Sequence, residues 1–504
     1  MADKSPLFKR RTAGVLLHPT SLPCSESCWG GDVKNRFGTL GKDAYYFIDL
    51  IHNAGLNVWQ MLPTGPTQAD MSPYQSISAH AGNAELISLD WLVEKGWVRA
   101  DDVLLDGERN IVLARQKCAL SFFEFLSSEG GAQTRQEFQT FCSQQKYWLD
   151  DYSLFCALRK HYKGASWVDW PAELRSRNPK AIAKVSRELK SDIDVVIFEQ
   201  FAFFSQWAAL KNYANQKGIY LFGDMPIFVG HDSADVWAEQ HYFQLDEKGN
   251  PLTVAGVPPD YFSETGQHWG NPHYAWHVME ADGFQWWLAR LRTQLQMFDL
   301  IRIDHFRGFE AYWEIPGDSH DARLGKWVKA PGEAFLKACF AAYPGLPLVA
   351  ENLGVITEEV EALRNLFDLP GMLVLQFGFD GNTSNPHLPH NHTRSDVIYT
   401  GTHDNDTTLG WWDTLGEANR QQVNAYCFNS EDPMPWLLIQ AALASVGRMA
   451  IIPMQDFLEL DGGHRMNMPG TTDKNWVWTF SWDQVEPTLA DRIRQLLASY
   501  HRLG

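Results

Sequence analysis

The sequence has no excess of positive charge, and this absence excludes two classes of partner. Its 504 residues contain 43 Lys and Arg against 61 Asp and Glu, a formal net charge of −18 at pH 7. Nucleic-acid binding depends on basic surface that displaces phosphate counterions, so we predict no nucleic-acid partner. We expect no membrane partner either, because an anionic membrane would repel the chain and no uninterrupted apolar stretch approaches the roughly 18 residues that cross a bilayer.

Clustered cysteines and recognisable metal motifs are also scarce. The seven cysteines are odd in number, and only Cys24 and Cys28 are close enough to form a metal half-site. No second pair with matching spacing follows, and there is no HExxH or regular His-x-His motif. Residues 1–5 lack the charged-then-apolar layout of a signal peptide, so we expect reduced thiols in a cytoplasmic protein. Carboxylates with histidines leave a hydrolytic metal site as an alternative.

Short apolar runs alternate with helical patterns along the chain. The runs cover residues 13–19, 56–62, 219–224, 299–304, 346–351, 372–377, 397–402 and 448–453. Near-continuous apolar runs are typical of parallel strands buried on both faces. Eight of them separated by helices predict one α/β catalytic domain over residues 1–504, a (β/α)8 TIM barrel. A doubly wound sheet is the alternative, but the Gly-rich phosphate turn expected after an early strand is missing.

Two connections between the predicted strands are too long to be simple loops. Residues 63–193, after the second strand, are rich in helical patterns and predict an inserted, mostly helical subdomain. Residues 225–282, after the third strand, are rich in Pro, Gly, His and aromatic residues and predict an active-site lid. Both connections follow the carboxyl end of a strand, which is where TIM barrels build their active sites.

Carboxylates follow the ends of four predicted strands: Asp224, Asp304, Glu351 and Asp404. A single strand-end carboxylate is more often a helix N-cap or a loop anchor, but four on one rim would repel each other unless they bind something. Arg302 shares a side of its strand with Asp304 and would keep that carboxylate ionised as a nucleophile. Desolvation beside an anion would raise the pKa of Glu351 and make it a general acid. Such a pair is what retaining glycoside chemistry requires.

Aromatic residues in the second long connection favour a sugar as the ligand. Tyr261, Phe262 and Trp269 occur in Gly- and Pro-rich sequence that would lie over the acidic rim. Aromatic faces stack on the apolar faces of sugar rings, while polar edges bind hydroxyls. We expect the aromatic residues of the helix before the third strand to pack in the core instead. These are Phe201, Phe203, Phe204 and Trp207.

Nearly end to end, the sequence resembles glycoside hydrolase family 77, the 4-α-glucanotransferases or amylomaltases. The segments that carry the resemblance are residues 72–75, 223–229, 302–308, 350–354, 402–405 and 465–470. The resemblance implies transfer of a segment of an α-1,4-glucan to the 4-hydroxyl of another glucan or of glucose, with retention of configuration. It implies maltooligosaccharides, amylose or starch, and glycogen-derived glucans as partners, glucose as an acceptor, and neither a metal nor an organic cofactor.

The resemblance also implies a role for each matching residue. Asp304 would be the nucleophile that forms a covalent glucosyl intermediate, Glu351 the acid/base and Asp404 the transition-state stabiliser. The residues implied to bind sugar are Arg302, His403, Asp224, Tyr74, Tyr261, Phe262, Trp269, Asn271 and Asp380. Ala84 replaces a usual proline and Thr479 an expected arginine, and we expect these departures to affect local loop and oligosaccharide contacts, not the reaction.

Two other functions fit many of the same residues. An α-amylase-like hydrolase would use the same carboxylates but pass the glucan fragment to water. A non-catalytic glycan-binding protein would keep the aromatic residues without needing one ionised and one protonated carboxylate. The products formed from a short glucan distinguish all three, because only a transferase makes chains longer than its substrate.

Overall fold

The computed structural model describes residues 8–25, 37–103, 111–259, 264–427, 432–471 and 473–503. The described strands are β1 (Thr12–Leu16), β2 (Val58–Gln60), β3 (Tyr220–Met225), β4 (Thr253–Val257), β5 (Gln267–Pro272), β6 (Leu300–Ile303), β7 (Ala311–Pro316), β8 (Lys326–Lys329), β9 (Leu348–Ala350), β10 (Met372–Val374), β11 (Val397–Tyr399) and β12 (Met449–Pro453). The described helices are α1 (Lys42–Asn53), α2 (Leu89–Glu94), α3 (Ala100–Val103), α4 (Ile111–Ser127), α5 (Ala132–His161), α6 (Ala172–Arg175), α7 (Pro179–Glu188), α8 (Lys190–Gln216), α9 (Ala234–Ala238), α10 (Trp276–Ala281), α11 (Gln285–Met297), α12 (Gly332–Ala342), α13 (Glu358–Leu366), α14 (Thr408–Thr414), α15 (Glu417–Tyr426), α16 (Trp436–Ala444), α17 (Met454–Phe457) and α18 (Leu489–Ser499).

Eight of the strands form a nearly closed parallel barrel. Their order is β10-β11-β12-β1-β2-β3-β6-β9, and each neighbouring pair is parallel. Across the remaining gap, the amide of Ala350 at the end of β9 donates to the carbonyl of Pro370, just before β10, at 2.8 Å. The (β/α)8 barrel that the alternating runs predict is therefore confirmed, with strands shorter than the apolar runs.

Local sequence explains where several elements end. Gly55 and Gly218 follow the helices that precede β2 and β3, and they adopt φ angles of +80° and +72°, a region that favours glycine. The predicted strand over residues 372–377 ends early, because Leu375–Phe377 forms a 3₁₀ turn. At that turn the side-chain amide of Gln376 donates to the carbonyl of Asp406 at 2.9 Å, which ties the top of β10 to the loop after β11.

The connection between β2 and β3 is mostly helical and ends with α8, the helix that leads into β3. Two buried glutamines of α8 bind the start of this connection by paired hydrogen bonds. Gln200 bonds both backbone groups of Gly82, and Gln206 bonds both backbone groups of Ser88, all at 2.9–3.0 Å. Because an unpaired buried amide is costly, these pairs fix the start of the connection, and therefore the loop before it, relative to the barrel.

Helix α8 is, among the helices that the structure describes, the one long and apolar enough by composition to cross a membrane. Its apolar residues instead pack inside the protein. Phe203 and Trp207 are fully buried, and Phe201 stacks on Trp97 with ring centroids 5.0 Å apart. The predicted core role of these three aromatic residues is confirmed, while Phe204 is only partly buried against the same core.

A second sheet, which the sequence analysis does not predict, lies outside the barrel. It is antiparallel, with four strands in the order β5-β4-β7-β8. Strands β4 and β5 come from the predicted lid connection, whereas β7 and β8 come from the connection after barrel strand β6. The second sheet is therefore built from two connections that follow adjacent barrel strands, since β3 pairs with β6.

Candidate active site

One arginine holds two of the strand-end carboxylates. Nη1 of Arg302 lies 2.7 Å from both carboxylate oxygens of Asp224 and 2.9 Å from Oδ1 of Asp304. Arg302 and Asp224 are buried, whereas the side chain of Asp304 keeps 27% of its surface exposed. The guanidinium therefore holds Asp304 in place while part of its side chain stays accessible, as a nucleophilic carboxylate requires.

Tyr74 links this ion pair to the loop after β11. Its hydroxyl donates to Oδ2 of Asp224 at 2.8 Å and lies 2.9 Å from Nε2 of His403. The rings of Tyr74 and His403 are stacked with centroids 5.2 Å apart, and Trp476 packs against both. Burial and the neighbouring Asp224 raise the pKa of Tyr74 well above its usual value, so the hydroxyl keeps its proton as a donor.

Glu351 is a buried carboxyl aimed at the same rim. The amide of His305 donates to its Oε2 and the amide of Leu353 donates to its Oε1, each at 2.7 Å. Burial and the nearby anion Asp304 raise the pKa of Glu351 to about 7, although Arg302 and the two amides act in the opposite direction. Burial therefore favours the protonated form of Glu351 beside Asp304, and the roles of the two carboxyl groups stay a prediction.

Asp404 has the opposite electrostatic setting. Its side chain is half exposed and lies 3.4 Å from Nε2 of His403, and the side-chain amide of Asn467 donates to its Oδ1 at 2.6 Å. Desolvation raises the pKa of Asp404, but His403 and Asn467 outweigh it and lower that pKa to about 2. Burial lowers the pKa of His403 and the neighbouring Asp404 raises it, and the net shift is upward. Asp404 is therefore a permanent anion on the rim.

The predicted lid reaches the catalytic rim through Trp269. Its ring packs edge-on against the ring of His305, with centroids 4.9 Å apart. His305 adopts a left-handed backbone conformation, φ 50° and ψ 49°, and in that conformation its amide bonds Glu351. Tyr261 and Phe262, the other two predicted lid aromatics, lie outside the described residues.

Asn271 anchors β5 from inside the protein. It is buried, and its side-chain amide donates to the carbonyl of Val229 at 2.9 Å. The amide of Gln75 contacts both Asn271 Oδ1, at 3.4 Å, and the carbonyl of Trp269, at 3.2 Å. Asn271 therefore positions the strand that carries Trp269, and its predicted contact with sugar stays a prediction.

Asp380 is exposed in the loop after β10. Its carboxylate accepts hydrogen bonds from the amide of Asn382 at 2.8 Å and from the side chain of Asn385 at 3.0 Å, both within the same loop. No contact among the described residues joins it to the rim cluster, so its sugar-binding role also stays a prediction.

Of the two departures from the family pattern, Ala84 begins a 3₁₀ turn and Thr479 is half-buried between Trp478 and Phe480.

Three residues of the rim cluster are not predicted from the sequence. Asn467 bonds Asp404, Gln75 ties the Tyr74 loop to Trp269, and Trp476 packs on Tyr74 and His403. Asn467 and Gln75 both occur in segments that resemble the family, and their place in those segments is the feature of the sequence that could have identified them. Nothing in the sequence around Trp476 separates it from the many tryptophans of the core.

A metal site does not emerge from the described part of the chain. No group of three or more His, Cys, Asp or Glu residues there is arranged to hold a metal ion. Cys28, one half of the candidate pair with Cys24, lies outside the described residues. Cys118 and Cys339 are buried, and burial raises the pKa of the Cys118 thiol to about 12, so it is a packing residue rather than a thiolate ligand.

Comparison with known proteins places this site in a family. The Glyco_hydro_77 family model, described as 4-alpha-glucanotransferase, matches residues 17–484, a span that includes every catalytic candidate. The 4-alpha-glucanotransferase of Thermus thermophilus is 45% identical over 505 residues, with 98% of this chain and 99% of that protein covered. The chloroplastic/amyloplastic 4-alpha-glucanotransferase of Solanum tuberosum is 43% identical, with coverage of 98% and 87%.

A solved structure agrees with the sequence relatives. The amylomaltase from Streptococcus agalactiae in complex with acarbose superimposes with a TM-score of 0.91 at 34% identity, with 98% of this chain and 100% of that chain covered. The amylomaltase from Corynebacterium glutamicum, at 17% identity and a TM-score of 0.76, shares the fold. These matches favour a transferase over an α-amylase-like hydrolase. The chain belongs to glycoside hydrolase family 77, the 4-α-glucanotransferases, which are glycosyltransferases.

Proposed function

We propose that the enzyme cleaves an α-1,4-glucan by covalent catalysis on Asp304. The observation that carries this proposal is the 2.9 Å contact between Nη1 of Arg302 and Oδ1 of Asp304, whose side chain keeps 27% of its surface exposed. In the first step Asp304 attacks the anomeric carbon, and Glu351 donates its proton to the glycosidic oxygen. The leaving glucan departs with a free 4-hydroxyl, and a β-linked glucosyl ester remains on Asp304.

In the second step the chemistry runs in reverse with a new acceptor. Glu351, now a carboxylate, takes the proton from the 4-hydroxyl of an incoming glucan or glucose, and that oxygen displaces Asp304 from the anomeric carbon. Two inversions restore the α configuration. The pKa of Glu351 near 7 suits both roles, because the group can gain and lose its proton at neutral pH.

Asp404 and His403 would stabilise the charged transition state between these steps. A cationic, oxocarbenium-like sugar needs fixed negative charge and hydrogen-bond partners near its hydroxyls. Asp404 supplies the charge, and its hydrogen bond to Asn467 and contact with His403 set its position before the sugar arrives. Tyr74, Asp224 and Arg302 form the other wall, and we assign them to the sugar bound at the cleavage point.

Transfer requires that a sugar reach the intermediate more effectively than water. Trp269, packed on His305, supplies an aromatic surface directly beside the loop that holds Glu351. We assign Trp269, together with Tyr261 and Phe262, to acceptor binding and partial exclusion of water. The proposed partners are maltooligosaccharides and longer starch- or glycogen-derived glucans, with glucose as the smallest acceptor.

Incubation with maltotriose alone tests the proposed reaction. We expect glucose together with chains longer than maltotriose to appear at the earliest times, because the intermediate is passed to a second glucan. Chromatography of the products with time, together with a reducing-end assay, measures this. A rise in reducing ends with only glucose and maltose formed would instead indicate hydrolysis, and an absence of products would indicate a binding protein.

The rate of transfer should fall as the pH rises above about 7. Burial and Asp304 raise the pKa of Glu351 to about 7, so the proton needed by the leaving oxygen persists at neutral pH and is lost above it. Beyond that point we expect kcat/KM to drop by about tenfold per pH unit. Initial rates on maltotriose between pH 5.5 and 9 measure this, and a rate still flat at pH 8.5 would contradict the assignment of Glu351 as the acid.

We infer that the enzyme works in the cytoplasm, in the turnover of maltodextrins and storage glucans. Five of the described cysteines, Cys118, Cys142, Cys156, Cys339 and Cys427, are thiols, as expected in a reducing compartment. The Solanum tuberosum relative is named as chloroplastic/amyloplastic, so the location is tested separately from the reaction. Fractionation of the source cells, followed by an assay on maltotriose, tests the cytoplasmic location.

A further inference from the structure

Trp327 is a tryptophan held rigidly at the protein surface. It lies in β8, an edge strand of the second sheet, and it remains 38% exposed. The guanidinium of Arg307 lies 3.6 Å from its ring centroid and covers one face. The ring of Trp313, its neighbour across the strands, packs at 67° with centroids 5.1 Å apart. These contacts fix the orientation of the indole and leave the uncovered part of the ring to solvent.

Arg307 connects this indole to both catalytic loops. It follows Asp304 by three residues, so their Cα atoms are at most about 11 Å apart. Its Nη1 donates to the carbonyl of Val355, which follows Glu351 by four residues and is 54% exposed. Trp327 and Val355 thus both lie next to Arg307, beside the loop of Glu351, and we call these two exposed residues the Trp327 platform.

Charged side chains border the Trp327 platform. Lys329, two residues along the same edge strand and therefore on the same side of it as Trp327, pairs with Glu310 and is 72% exposed. Lys326 and Glu314 pair on the opposite side of the strands. An aromatic surface ringed by ionic and hydrogen-bonding groups suits a ligand with an apolar face and polar edges. A pyranose ring has that composition.

We propose that the Trp327 platform is a remote subsite for the acceptor glucan, where the indole stacks on a sugar ring. The proposal rests on the assignment of Glu351 as the acid/base. That residue must face both the leaving oxygen and the acceptor hydroxyl, so the acceptor chain extends from the cleavage point past the loop of Glu351. Because the platform lies beside that loop, it is placed to bind a ring that a short acceptor does not reach.

The test compares acceptors of increasing length in Trp327→Ala, with an excess of one activated donor such as α-maltosyl fluoride. A stacking contact of this kind is worth about tenfold in affinity. We expect the acceptor KM for maltoheptaose to rise by about tenfold relative to that for glucose, with Trp327→Phe keeping most of the wild-type preference. The chain length at which variant and wild type diverge gives the number of rings between the platform and the cleavage point.

Leu324→Ala is the matched control, because it removes an apolar side chain, 64% exposed, from the segment just before β8. It should leave the length preference unchanged. The platform is refuted by equal losses with glucose and maltoheptaose, which would indicate only a structural role through Arg307, or by no loss with either. A change in sedimentation coefficient on Trp327→Ala would also refute it, because the surface would then join two copies of the chain. Wild-type activity in Glu351→Gln would overturn the proposed mechanism separately.

Discussion

Replacement of Asp304 with Asn is expected to lower the rate of glucan transfer by at least about 10⁴-fold while glucan binding persists. An amide has nearly the size of the carboxylate but cannot form the covalent ester, so the loss falls on kcat. Arg302 keeps Asp224 as its partner in the variant, so the rim stays assembled. Initial rates on maltotriose measure the loss, and calorimetric titration with maltoheptaose measures the binding.

Two further variants make the Asp304 experiment decisive. Asp318→Asn, an identical change at an exposed position in the connection between β7 and β8, should keep wild-type activity. Asp304→Gly with azide should regain activity on an activated α-glucosyl donor and give the β-glucosyl azide, because azide then attacks from the side that Asp304 occupied. Transfer in Asp304→Asn within tenfold of the wild-type rate would refute Asp304 as the nucleophile.

The second large effect is expected at Glu351. Glu351→Gln should lower kcat/KM on maltotriose by about 10³-fold or more, because the leaving oxygen is no longer protonated. The loss should be far smaller with α-maltosyl fluoride, since fluoride departs without a proton. A glutamine at this position can accept only one of the two hydrogen bonds that the amides of His305 and Leu353 donate to Glu351, because its other polar atom is itself a donor.

The matched control for this change is Glu358→Gln at the first turn of α13, an exposed glutamate seven residues along the same connection. It should retain wild-type rates on both donors. Azide added to Glu351→Gln should give the α-glucosyl azide, the opposite anomer from the Asp304→Gly experiment, because azide then displaces the β-linked intermediate. Equal losses on maltotriose and on α-maltosyl fluoride would show that Glu351 does not act as the acid.

The sequence was informative about the barrel and its carboxylates because both depend on local pattern. Eight apolar runs with helices between them leave few topologies, and the carboxyl ends of parallel strands must meet on one rim. The period of two along a strand then placed Arg302 and Asp304 on one side, as the 2.9 Å contact confirms. The apolar run before Glu351 predicted its burial, which is the main cause of its raised pKa.

Contacts between distant segments could not be predicted from pattern alone. Arg302 was expected to serve Asp304, yet it also neutralises Asp224, which comes from the neighbouring strand. Strand β7, which pairs with β8, pairs with β4 only once the barrel brings the two connections together. No local pattern in the sequence therefore predicts the second sheet. The hydrogen bond between Asn467 and Asp404 likewise joins residues that are far apart in the sequence.

The most direct measurement is the mass of the intermediate on Glu351→Gln. Loss of the acid/base slows the second step, whereas α-maltosyl fluoride still permits the first, so the covalent species should accumulate. Rapid acid quenching, peptic digestion and mass spectrometry should find one maltosyl unit attached to the peptide at Asp304. An intermediate on another residue, or products of inverted configuration with no covalent species at all, would contradict the account.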